Sequence, residues 1–111
     1  MSEQRLKQIK IKAGVAKRLA KEKSSYEKEA TAQRKRISNM KSEGKDSHDI
    51  KKQEEVLEET EMMIPDCLRR LRTATADLQK VLNSESDLKG EEQYQEAMVI
   101  LKDAEKVLSS V

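Results

Sequence analysis

Five aliphatic residues, Ile50, Leu57, Ile64, Leu71 and Leu78, recur every seventh position without a miss. Seven residues are close to two helical turns, so all five share one line of a helix; on a strand, residues seven apart would face opposite sides. Cys67, Ala74 and Val81 fill a companion line, with Leu68 and Leu82 beside it. Gln53 and Thr60 stand on that companion line nearer the start, where packing is expected to be looser. Asp46 or Ser47 can cap the beginning, and Asp49 in the first turn suits the helix dipole. The pattern predicts a helix over about 48–82.

Pro65 lies inside this pattern, in the run "ETEMMIPDCLRRL". With Ile50 as position a, Pro65 is at the outward position b, and Met62 and Met63 are at f and g. Proline removes the hydrogen bond to the Glu61 carbonyl and costs about 3 kcal/mol or more in a straight helix. On an outer face, water can satisfy that carbonyl, and the bend is convex toward solvent, the usual sense of helix curvature. The heptad passes through in phase, so a bent but unbroken second helix is expected.

Two further segments carry helical spacing. Leu6, Ile9, Ala13, Ala16, Leu19, Ala20, Tyr26, Ala30, Ile37 and Met40 advance mostly by three and four, predicting a helix over about 3–42. Ser2 is a candidate cap and Gly44 a candidate stop. Lys23 and Gln33 fall on the same stripe and have to reach its edge. Tyr94, Ala97, Leu101, Ala104, Leu108 and Val111 define a third helix over about 88–109, whose start falls somewhere in 86–91 because Leu88 and Gly90 obscure it.

Of the 111 residues, 40% are charged and 2% aromatic, with no Trp or Phe, which excludes an aromatic-rich globular core. Long helices with narrow apolar seams remain; a disordered polar chain would not hold a strict heptad through five repeats. Three amphipathic helices joined by short polar turns predict an all-α fold, a single domain over residues 1–111. It is an antiparallel up-down-up three-helix bundle with left-handed, coiled-coil-like packing.

The net charge of +2 hides a polarity: residues 1–46 hold fourteen Lys/Arg against six Asp/Glu. That basic helix carries no aromatic stacking platform and no nucleic-acid module, so no nucleic-acid partner is expected. The start "MSEQRLKQIK" has no apolar h-region, and no apolar run approaches the roughly 18 residues of a membrane span, so a soluble, cytoplasmic protein without membrane association is expected. Cys67 is the lone cysteine, on the core seam, and His48 the lone histidine, at a helix start; neither has company for a metal site. No phosphate-cradling glycine loop and no apolar pocket for paired carboxylates is visible, so neither an enzyme nor a cofactor is expected. Ile11 and Val15 lie off the central stripe, beside Gly14; they are either scattered surface aliphatics next to a tolerated glycine or a small apolar patch ringed by Lys10, Lys12 and Arg18 that suits a protein partner with an acidic rim.

The stretches "QIKIKAGVAKRLAKEKSSYEKEA" (8–30) and "HDIKKQEEVLEETEMMIPDCLRRL" (48–71) resemble the tubulin-folding cofactor A family, also called tubulin-specific chaperone A. The likeness continues more weakly through "ADLQKVL" and "EEQYQEAMVILKDAEKV". The resemblance implies a three-helix bundle that binds β-tubulin folding intermediates released by the cytosolic chaperonin. It would hold them soluble on the route to the α/β heterodimer, meeting other tubulin-folding cofactors indirectly. It further implies a cytoplasmic, cytoskeleton-associated protein without nucleotide, either monomer or homodimer. Combining the resemblance with the residues above, the expected binding positions are Ile11, Lys12, Gly14, Val15 and Arg18, with Met62, Met63, Pro65, Asp66 and Arg69 around the proline. The competing expectation is a structural three-helix interaction module, of spectrin-like or membrane-traffic type, although the core tryptophan usual in spectrin-like repeats is missing.

Overall fold

The computed structural model describes residues 2–110. They form α1 (Ser2–Ser42), α2 (Ser47–Ser84), a 3₁₀ turn at Ser86–Leu88 and α3 (Glu92–Ser109), with no strand among the described residues. The fold is all-α, and its three helices follow the three periodic segments of the sequence. Val111, expected on the seam of the third helix, lies outside the described residues.

The chain divides into two compact units. One takes in the residues through Lys21 together with those from Leu68 onward; the other is Glu22–Cys67. In the first unit all three helices contribute. Ile9, Ala13, Ala16 and Leu19 of α1 pack with Leu71, Ala74, Leu78 and Leu82 of α2 and with Tyr94, Ala97, Leu101 and Ala104 of α3. Ile9, Leu71, Leu78, Leu82 and Leu101 are the largest side chains fully removed from water. With no Phe or Trp available, these aliphatic side chains carry the burial. On α2 the buried lines are the heptad positions a, d and e, wide enough to face two neighbours.

The link from α2 to α3 is built on local hydrogen bonds. The 3₁₀ turn places Leu88 in the core, and the Leu88 carbonyl accepts the Glu91 backbone N–H at 2.9 Å. Glu91 is extended, with φ −79° and ψ 142°, and the helix resumes only at Glu92. The third helix therefore begins four residues later than the expected 88. Leu88 is an apolar core residue as periodicity implies, but its own short turn delivers it. Tyr94 donates its hydroxyl to the Leu82 carbonyl at 2.8 Å, satisfying one of the carbonyls that the last turn of α2 leaves open. Arg5 donates to Glu85 through Nε and to Asp87 through Nη2, tying the start of α1 to this link.

The second unit is a two-helix hairpin. Gly44, at φ +70°, closes α1: the Gly44 N–H bonds to the Lys41 carbonyl and the Lys45 N–H to the Met40 carbonyl, the paired bonds of a Schellman motif. Asp46 then caps α2, its carboxylate accepting the His48 backbone N–H at 3.2 Å. Along the seam, Ala30 and Ile37 are buried, whereas Ile50, Leu57 and Ile64 are only half-buried, because one neighbouring helix cannot enclose them. Lys23 and Gln33, the polar members of the α1 stripe, are both buried: Lys23 reaches Glu27 at 3.0 Å, and the Gln33 amide donates to the Gln53 carbonyl and side-chain oxygen at 3.0 and 2.8 Å. Pro65 is exposed and lies within α2, which is one continuous helix from Ser47 to Ser84.

Leu78→Ala removes a fully enclosed side chain and is expected to cost about 2–5 kcal/mol. Leu57→Ala, at the same heptad position in the hairpin, should cost clearly less, because its side chain is already partly open to water. Urea unfolding of both variants checks the order; equal losses would contradict the packing described. The Arg5 guanidinium also holds the Asp87 carboxyl below its ordinary range, chiefly by its hydrogen bond. A depressed folded value means the contribution is present above the unfolded carboxylate value and fades as pH falls through the folded one. The Asp87 titration followed by NMR should midpoint low in the wild type and return toward the ordinary value in Arg5→Gln.

Candidate interaction surfaces

The side chains that carry reaction chemistry elsewhere have structural settings here. His48 is exposed in the first turn of α2, and Cys67 is buried. Among the described residues no cluster of three or more His, Cys, Asp and Glu could hold a metal ion, and no helix is long and apolar enough to cross a membrane. Surface depressions are open to solvent: one lies along the outside of α1 at Lys35, Arg36 and Asn39, another on α3 at Lys102 and Lys106.

In the first unit, Ile11, Lys12, Gly14, Val15 and Arg18 occupy two successive turns of α1. Ile11 is 47% exposed, an isoleucine standing in water, and Arg18 lies seven residues along the same face. Gly14 is exposed between them, and a Cβ added there would meet no atom within 4 Å. Packing therefore does not require a glycine; its presence leaves bare backbone on the surface. Val15 and Lys12 are less outward than the register implied. Val15 is half-buried against the core cluster and Lys12 is half-buried, because α1 meets two neighbours in this unit and its covered arc is wider than a two-helix seam. The remaining three form an exposed face with one apolar residue among cations, Lys10 adding a further charge.

In the second unit, Met62 is 67% exposed and Met63 39%, with Pro65 exposed and Asp66 half-buried. Arg69, which belongs to the first unit, is exposed as well. Met62 is an isolated outward side chain on the f line. Met63 has company that the register alone would have shown: Val56, seven residues earlier at the same g position, is 47% exposed. Neither the Val56 exposure nor the buried Gln33–Gln53 pair was anticipated from sequence.

The two flanks of the hairpin differ. At the e positions of α2, Glu61 pairs with Arg34 at 2.9 Å and Glu54 with Lys41 at 3.8 Å, so charged pairs from α1 and α2 run along that side. These pairs are half-exposed and contribute about 0–1 kcal/mol each. At the g positions on the opposite side, Val56 and Met63 have no such cover.

The chain is similar to known proteins along most of its length. A family model described as tubulin binding cofactor A matches residues 4–101. Tubulin-specific chaperone A of Homo sapiens is 54% identical over 101 residues, covering 91% of this chain and 94% of that protein. Among solved structures, human tubulin chaperone cofactor A superposes with a TM-score of 0.77 at 50% identity, covering 91% of this chain and 98% of that one. Tubulin folding cofactor A from Arabidopsis thaliana gives 0.80 at 38% identity, covering 94% and 98%. A match along nearly the full length of both partners, in sequence and in fold, leads to one conclusion: the chain belongs to the tubulin binding cofactor A family.

Proposed function

We propose that this protein is a tubulin-folding cofactor that binds β-tubulin folding intermediates after their release from the cytosolic chaperonin and keeps them soluble until the α/β heterodimer assembles. The observation that carries this reading is the near-complete match to the tubulin binding cofactor A family. Family membership favours it over the structural-module alternative. Such a role needs no covalent chemistry. It asks for a stable helical body, exposed apolar residues to cover apolar surface on a client, and charge to steer the encounter. The protein works in the cytoplasm in this reading, meets the cytoskeleton through its client, and meets other tubulin-folding cofactors indirectly.

Two sets of residues are proposed to touch the client. On α1, Lys12 and Arg18 orient an acidic partner while Ile11 and the accessible edge of Val15 cover apolar surface around the bare backbone of Gly14. On α2, Met62 and Met63 supply adaptable apolar contact, since methionine is flexible and polarizable, with Pro65, Asp66 and Arg69 around them. The test is capture of chaperonin-released β-tubulin by the purified protein, with folded α/β dimer alongside.

Lys12→Glu combined with Arg18→Glu should weaken β-tubulin binding roughly tenfold or more at low salt, with the gap narrowing as salt rises. Binding as tight as wild type would remove α1 from the surface. Gly14→Ala should stabilise the fold by up to about 1 kcal/mol, since the glycine is an exposed helical residue with open space for a methyl group. The same variant should bind β-tubulin less tightly; a melt and a titration on one preparation separate the two effects.

A further inference from the structure

The flank of the hairpin opposite the Glu54 and Glu61 ion pairs carries exposed apolar side chains. Among the described residues α3 belongs to the first unit, and the second unit is made of two helical segments of about twenty residues each. On α2 this side carries Val56 and Met63, 47% and 39% exposed, with half-buried Thr60 between them. On α1 it carries Tyr26 and Met40, both half-buried, on the side of the seam away from Arg34 and Lys41. Helical spacing fixes this assignment: Val56 and Met63 lie roughly 160° around α2 from the ion-paired Glu54 and Glu61. Outside the apolar strip stand Asp49, Lys52 and Glu59 of α2 and Glu22, Glu29 and Arg36 of α1, four carboxylates against two cations.

We propose that this flank is a docking groove for one amphipathic helix of the client, about twenty residues long, with a narrow apolar stripe and basic flanks. The length follows from the hairpin, the stripe from Tyr26, Met40, Val56 and Met63, and the basic flanks from the acidic excess of the rim. Docking would give the second unit the third helix that the first already has, completing burial of a seam that two helices leave half in water. The inference rests on the client-binding reading above and adds the kind of client segment held. It also separates two surfaces by charge, since the α1 face at Ile11 and Arg18 is cationic and takes acidic surface instead.

The probe is a synthetic twenty-residue helix with a leucine stripe and lysine flanks, followed by fluorescence anisotropy against the full-length protein. A matched peptide has glutamate flanks. The lysine-flanked peptide should bind at least roughly tenfold tighter at low salt. Val56→Lys with Met63→Lys should abolish that binding, because burial would strand two charges, while circular dichroism stays at the wild-type level since both positions are exposed. Glu29→Lys with Glu59→Lys should invert the preference toward the glutamate-flanked peptide, a switch that general destabilisation cannot produce. Equal binding of both peptides, or unchanged binding by the Val56→Lys/Met63→Lys variant, overturns the groove. So does self-association of the wild type that this variant abolishes while neither peptide binds, which would assign the flank to a second copy. In parallel, wild type that captures β-tubulin no better than this variant refutes the groove and the Met63 contact but leaves the client-binding reading standing, whereas wild type that captures none refutes the client-binding reading itself.

Discussion

Burial on α2 depends on how many helices surround it. The chain has no Phe or Trp and 40% charged residues, so its stability rests on aliphatic seams. One heptad line runs the length of α2, but its environment changes. Where α1 and α3 both pack, Leu71, Leu78 and Leu82 are fully buried. In the hairpin, Ile50, Leu57 and Ile64 are only partly buried. The same chemistry on the same line thus yields a firm core in one unit and an unsaturated seam in the other. Full burial of large aliphatic side chains is concentrated in the first unit.

Polar groups on the seam fit this division. In the hairpin, Gln33 spends its amide on two oxygens of Gln53, so a buried side chain that could have been a liability is satisfied. Such a pair fixes which turn of α1 lies against which turn of α2, a specification that half-buried aliphatics supply only weakly. In the first unit the corresponding role falls to the Tyr94 hydroxyl on the Leu82 carbonyl, which ties α3 to the last turn of α2. These contacts hold the helices in register, and Ile11, Met62 and Val56 are outward residues that the register does not consume.

Much of this was legible in the residues. The unbroken seven-residue repeat specified α2 through Pro65, and the three–four spacing of α1 even flagged Lys23 and Gln33 as seam positions. Gly44 was readable as a stop because only the left-handed backbone of a helix end favours it. Other features depended on tertiary neighbours. The late start of α3 follows from Leu88 being seated by its own turn, and periodicity counts Leu88 as helical either way. The half-burial of Val15 reflects a second helix against α1, which no single-helix pattern contains. Val56 escaped notice because one valine at a g position looks ordinary; its meaning appears only when Met63 is exposed beside it and no helix covers the pair. Among the expected binding residues, Ile11, Gly14, Arg18, Met62, Met63, Pro65 and Arg69 are outward as the register implies, whereas Lys12, Val15 and Asp66 are half-buried, and their grouping into separate units could not be read from sequence.

The turn at Gly44 bears on the order in which the chain can fold. The hairpin it closes joins residues that are near neighbours along the chain, and its Schellman bonds and Asp46 cap form within a few residues of one another. The three-helix core instead brings Ile9 against Leu101, at the far end of the sequence. Contacts of short sequence separation form faster because less loop entropy opposes them. During synthesis the hairpin's residues emerge from the ribosome before those of α3, so the unit that carries the exposed Val56 and Met63 is the one that can assemble first.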